Sequence, residues 1–80
     1  MNISGIVVSL EPPSVDAALA RLGQMEGVEV HQVDLTSHRA VITQETSSTE
    51  EQERGLSAIQ AMPGVLDAML VYHWFGDANP

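Results

Sequence analysis

A four-residue pattern occurs twice in this chain and narrows its possible folds more than any other feature. Met25-Glu-Gly-Val28 and Met62-Pro-Gly-Val65 lie thirty-seven positions apart. The stretches before them also correspond, Leu19 with Leu56 and Leu22 with Ile59. Each copy closes a helix with a glycine and opens a strand, so a chain of eighty residues holding two copies is one doubled strand–helix–strand unit.

The rest of the chain divides accordingly. Ile3 to Leu10 is β-branched and reads as a first strand, with Ile6, Val8 and Leu10 on one parity and Ile3, Gly5, Val7 and Ser9 on the other. Glu11-Pro-Pro-Ser14 breaks it, because proline cannot continue a ladder. Ser14 is an expected N-cap, Asp16 suits the positive start of a helix, and Val15, Ala18, Leu19, Leu22 and Met25 keep helical spacing. Gly27 stops that helix. Val28 to Asp34 is a second strand, 35–39 a polar connection and Ala40 to Glu45 a third strand. The second helix starts within Thr46–Thr49, where Ser48 with Glu51 or Thr49 with Gln52 has capping-box spacing, and ends at Pro63-Gly64. Val65 to His73 is a fourth strand.

The order β-α-β-β-α-β with right-handed crossovers predicts an α+β, ferredoxin-like sandwich: a four-stranded antiparallel sheet in the order 4-1-3-2, with two helices on one face. The whole of 1–80 reads as one such domain, with an ordered core over about 3–74 and a C-terminal tail from 75 to 80. Ile6, Val8, Val28, Val30, Ile42, Ala68, Leu70 and Tyr72 are expected to face the helices, where Leu19, Leu22, Leu56 and Ile59 meet them. Nothing is left to cover the other face. Plain alternation puts Ile3, Val7, Val33, Val41, Met69 and Val71 there, with Ser9, Glu29, His31, Thr43 and His73 among them. A bare apolar patch of this kind marks a contact surface, for a partner or for a second copy.

Composition limits that partner. The formal charge is −8, with three arginines and no lysine, which opposes nucleic acid and anionic lipid and favours a cationic partner; the same charge also serves solubility. There is no cysteine, so disulfides and thiolate metal sites are excluded. The start of the chain has no basic leader and no apolar run is long enough to span a bilayer, so a cytoplasmic protein without membrane insertion is expected.

Catalytic and cofactor chemistry finds little footing. His31 and His73 fall on opposite edge strands, roughly 14 Å apart at ordinary strand spacing, too far to share a metal ion. Ser9, His73 and Asp77 lack a nucleophile elbow or oxyanion loop. The glycines form no phosphate-cradling loop. An acylphosphatase would need an arginine in a loop after the first strand, where Glu11-Pro-Pro-Ser14 stands. The expectation is a protein that is not an enzyme and uses no cofactor or metal.

Three segments carry a family likeness: Ile3-Ser-Gly-Ile-Val-Val-Ser9, the Met-x-Gly-Val stop at 25–28, and above all Pro63-Gly-Val-Leu-Asp-Ala-Met-Leu-Val-Tyr-His73. Together they resemble the NapD family, small cytoplasmic chaperones needed to assemble periplasmic nitrate reductase. The resemblance implies binding of the twin-arginine signal peptide of the catalytic subunit NapA. The peptide would lie as a helix on the open sheet face, kept from the Tat translocase until the molybdenum cofactor is inserted. Carried onto this chain, it implies a peptide-binding surface of Val7, Ser9, His31, Val33, Val41, Thr43, Met69, Val71 and His73. Glu29, Asp34 or Glu45 would meet the arginine pair. A monomer or weak homodimer fits that role. The alternative of a different class is a dimeric ferredoxin-like regulatory domain that senses a small molecule at a sheet-to-sheet interface.

Overall fold

The computed structural model describes residues 2–75. Seven elements follow in order: β1 (Asn2–Leu10), a 3₁₀ turn (Pro12–Ser14), α1 (Val15–Gln24), β2 (Val28–Asp34), β3 (Arg39–Thr46), α2 (Thr49–Gln60) and β4 (Val65–Phe75). The strands form one sheet in the order β2-β3-β1-β4, with antiparallel neighbours throughout. From the other edge this reads 4-1-3-2, the ferredoxin-like arrangement expected from the doubled unit. β4 runs two residues beyond the expected strand because Trp74 and Phe75 pair with Ile3 and Asn2. Of the expected tail at 75–80, Phe75 belongs to β4 and 76–80 lies outside the described residues.

The repeated motif is repeated in its hydrogen bonds. At the end of α1, Met25 N–H donates to Leu22 O at 3.2 Å and Val28 N–H to Met25 O at 3.2 Å. At the end of α2, Met62 N–H donates to Ile59 O and Val65 N–H to Met62 O, both at 3.1 Å. Gly27 and Gly64 occupy the left-handed region in both turns (φ 81° and 92°), which a side chain would strain. Each glycine carbonyl then accepts near the end of a central strand: from Glu45 N–H, next to last in β3, at Gly27 O (2.7 Å), and from Glu11 N–H, just past β1, at Gly64 O (2.9 Å).

The helix starts differ from expectation in detail. Ser14 occupies the α1 N-cap position but its hydroxyl makes no capping bond; the 3₁₀ turn, closed by Ser14 N–H to Glu11 O at 2.8 Å, delivers the chain into the helix instead. In α2 the Ser48 and Glu51 option is realised. Glu51 N–H donates to Ser48 Oγ at 3.1 Å, while the Glu51 carboxylate reaches back to Ser47, accepting from its N–H at 3.0 Å and its hydroxyl at 2.8 Å.

α1 lies over β2 and α2 over β3 and β4. Between helices and sheet sit Ile6, Val8, Leu10, Val15, Ala18, Leu22, Val28, Ala40, Ile42, Ile59 and Ala68, all buried. Leu19, Val30, Leu56 and the two motif methionines, Met25 and Met62, pack around them. Each large aliphatic side chain buried here contributes roughly 1.5–3 kcal/mol. The core changes character at one end, where Asn2, Ser4, Gln44 and Gln52 are buried instead.

Candidate functional site

Among the described residues, no element covers the second face of the sheet. Over most of its length, what that face carries is decided by two bulges; a third irregularity, at Leu66, comes at the very start of β4. Gly5 pairs with Tyr72 and Ile6 with Leu70, so Val71 is an extra residue in β4. In β2, Val30 pairs with Ile42 and Gln32 with Val41, so His31 is extra. One inserted residue reverses the parity of everything beyond it.

The outcome corrects the alternation-based expectation at three positions. Tyr72, expected against the helices, pairs with Gly5 on the open face, and Trp74 pairs with Ile3 on the same face. His73, expected on the open face, lies opposite Ser4 on the helix side and is half-buried. Val33, also expected on the open face, pairs with Ala40, which is buried beneath the helices; Gln32 takes the place opposite Val41. The other positions fall as expected. Val7 pairs with Val41 and Met69, Ser9 with Arg39 and Asp67, and Gly5 with Thr43, which pairs in turn with Glu29. Val71 sits at the bulge itself and is half exposed.

The open face therefore has an apolar line along β4 and β1 and a polar border on β2. Met69, Tyr72 and Trp74 are 57, 51 and 55% exposed, unusual for side chains of this size in one strand. Tyr72 owes its position to Gly5: a Cβ there would overlap the tyrosine ring, so the missing side chain lets the ring lie flat across the sheet. Beside this line, Val7, Val41, Gln32, Val33, Asp34 and Arg39 border a shallow concavity of about 570 Å³, so Val33, though paired with Ala40, keeps a place at the edge of this face. Tyr72 is the residue that alternation puts on the wrong face. Gly5 in the middle of an apolar strand was the available signal, since glycine there marks a close approach.

The polar border is partly committed. His31 Nε2 lies 2.8 Å from Thr43 Oγ1 and 3.5 Å from Glu29 Oε1, which fixes the bulge residue over the open face. Asp34 Oδ1 accepts from Thr36 N–H at 2.9 Å and Ser37 N–H at 3.3 Å, an Asx turn that shapes the hairpin. Those bonds, Ser37 first, hold its carboxyl below the usual carboxylate range, with Arg39 adding to the effect. Asp34 is thus already engaged within the chain. Glu29 and Glu45 instead flank Ile3 and Thr43 around a smaller concavity of about 350 Å³ at the far end of the face. Among the described residues, no group of three or more His, Asp or Glu could hold a metal ion. No helix among them is long and apolar enough to cross a membrane.

The geometry defines a class: a ferredoxin-like domain with one sheet face left open, apolar at its centre and acidic at one end. The family model described as NapD protein matches residues 1–77, and the chain belongs to the NapD family. A solved structure from E. coli, titled the solution structure of the Tat proofreading chaperone protein NapD, superposes with a TM-score of 0.82. It is 22% identical, and the match covers 98% of this chain and 82% of that one. Among the curated proteins, none matches.

Proposed function

We propose that this protein is a cytoplasmic chaperone that binds the twin-arginine signal peptide of a periplasmic nitrate reductase catalytic subunit. Binding withholds the peptide from Tat export until cofactor insertion is complete. Membership of the NapD family supports the role, as does the likeness to an E. coli protein titled a Tat proofreading chaperone. The observation that carries the reading is the exposed line of Met69, Tyr72 and Trp74 beside Val7 and Val41. An apolar helix laid along that line replaces water on both surfaces, while Glu29 and Glu45 at the end of the face attract the peptide's arginines. Folding of the peptide on the sheet costs part of the interaction energy and keeps the hold reversible. No bond is made or broken: occupancy alone hides the export signal.

Titrating the isotope-labelled chain with a synthetic peptide holding two adjacent arginines and an apolar stretch tests this. The amides of Val7, Val41, Met69 and Tyr72 should shift in a saturable way. A spectrum unmoved by the peptide, or a tight dimer in light scattering whose interface buries Met69 and Tyr72, would refute it and favour the sensing alternative.

A further inference from the structure

A third concavity, of about 700 Å³, opens on the helix side of the sheet, between the end of α1, the end of β3 and the first half of α2. Its lining includes Glu26, Glu45 and Glu51, and among the described lining residues there is no arginine or histidine. Acidic residues alone do not make a site, but this cleft has a built interior. Gln44 lines it, is only 3% exposed, and its carbonyl Oε1 is buried without a hydrogen-bond partner. Thr46, two residues on and also in the lining, has its Oγ1 buried in the same condition.

The helix above is adapted to this arrangement. A Cβ at Gly55 would overlap the Gln44 amide nitrogen, so α2 carries a glycine in its interior where the glutamine is seated. A mid-helix glycine weakens the helix, and an unpaired buried carbonyl costs the full desolvation of that group. Two unfavourable features meeting at one point indicate a group that arrives from outside. The groups awaiting it are acceptors with negative charge around them, which calls for a cation rich in N–H donors. Among the described residues no cluster suits a metal ion, whereas a planar guanidinium carries five donors in a fixed fork.

We propose that this cleft binds a guanidinium group, the side chain of an arginine in a bound polypeptide. The choice of polypeptide rests on the peptide-binding reading and on continuity: Gly27 and Glu45 line both this cleft and the acidic end of the open face. A chain lying on the sheet can pass an arginine over the end of β3 into the cleft.

The test uses the full chain, isotope-labelled, titrated with N-acetyl-arginine amide and with N-acetyl-citrulline amide, which has the same shape without the charge. The arginine derivative should shift the Gly27 and Gly55 amides and the Gln44 side-chain amide saturably, and citrulline should not. Gln44→Leu preserves volume and removes the carbonyl; it should weaken arginine binding by about tenfold or more. Urea unfolding checks that this variant folds, and Glu45→Gln is the second variant, again expected to weaken binding. Equal response to citrulline, no response at these residues, or undiminished binding by both variants would overturn the proposal and leave a water-filled cleft. A twin-arginine peptide separates this from the wider reading. Shifts at Val7, Val41 and Met69 with Gly55 and Gln44 silent would refute the cleft alone. Cleft shifts with the arginine derivative but no open-face response to the peptide would refute the chaperone reading and leave the guanidinium site standing.

Discussion

At the scale of single residues, the open face depends on an absence. Gly5 has no side chain, and the Tyr72 ring occupies the space that one would take. An aromatic ring held flat over a sheet presents a broad contact surface without much entropy left to lose on binding. Gly5→Ala should therefore push the ring off the strand. By calorimetry, affinity for a twin-arginine peptide should fall about threefold to tenfold, the range expected for one aromatic contact. The fold should survive, since β-sheets accept alanine more readily than glycine. Met69→Glu is the harsher change. More than half of Met69 is exposed, so stability should hold while a charge in the centre of the apolar line lowers affinity by more than about tenfold. Unchanged affinity in both variants would mean that the peptide lies elsewhere.

At the scale of elements, what the sequence made legible was periodicity, and what it hid was the interruption of periodicity. The Met-x-Gly-Val repeat shows the helix stops down to matching hydrogen bonds, because glycine at a positive φ is a local requirement that local residues reveal. The apolar parity of β1 is equally plain, since that strand lies at the centre and pairs on both sides. A bulge is different: it is a property of two strands, so neither strand's residues announce it. Val71 and His31 look like ordinary strand residues, yet they put Tyr72 where His73 was expected and Gln32 where Val33 was expected. Deleting Val71 tests the β4 register directly. With the extra residue gone, plain alternation keeps Tyr72 opposite Gly5 and His73 opposite Ser4, so those nuclear Overhauser contacts and peptide binding should persist; their loss would mean that Val71 is not the residue the bulge accommodates.

The turn carboxylates set a pH dependence on the same scale. Asp34, held by Ser37 and Thr36, and Glu51, held by Ser47, both have carboxyls below their ordinary range. For a lowered value, the stabilisation is fully present above the unfolded-state pKa and is lost as pH falls through the folded one. Urea midpoints should hold from neutrality down to about pH 5 and decline toward about pH 3, within the carboxylate range. Ser48→Ala, which removes the α2 cap, should cost about 1 kcal/mol by the same measurement at any of these pH values.

At the scale of the whole molecule, the doubled unit explains why there is a free face at all. Both helices pack on the face that carries Ile6, Val8 and Ile42, and among the described residues no element lies on the other. The strands are then apolar on two faces but covered on one, and the resulting surface is matched to its surroundings by charge. The chain carries eleven acidic residues against three arginines, so a cationic amphipathic partner is attracted over a distance before any contact forms. The two contributions separate under salt. The Debye length shortens from about 10 Å at 0.1 M to about 3 Å at 1 M, so steering fades while apolar burial does not. The association rate for a twin-arginine peptide, followed by stopped-flow Trp74 fluorescence, should fall steeply over that range. The dissociation rate should change much less, because it reports the contacts with Met69, Tyr72 and Trp74. A peptide with both arginines replaced by glutamine should lose most of the salt dependence and keep the slow dissociation. An association rate indifferent to salt would instead assign the acidic surface to solubility, and the binding to the apolar line alone.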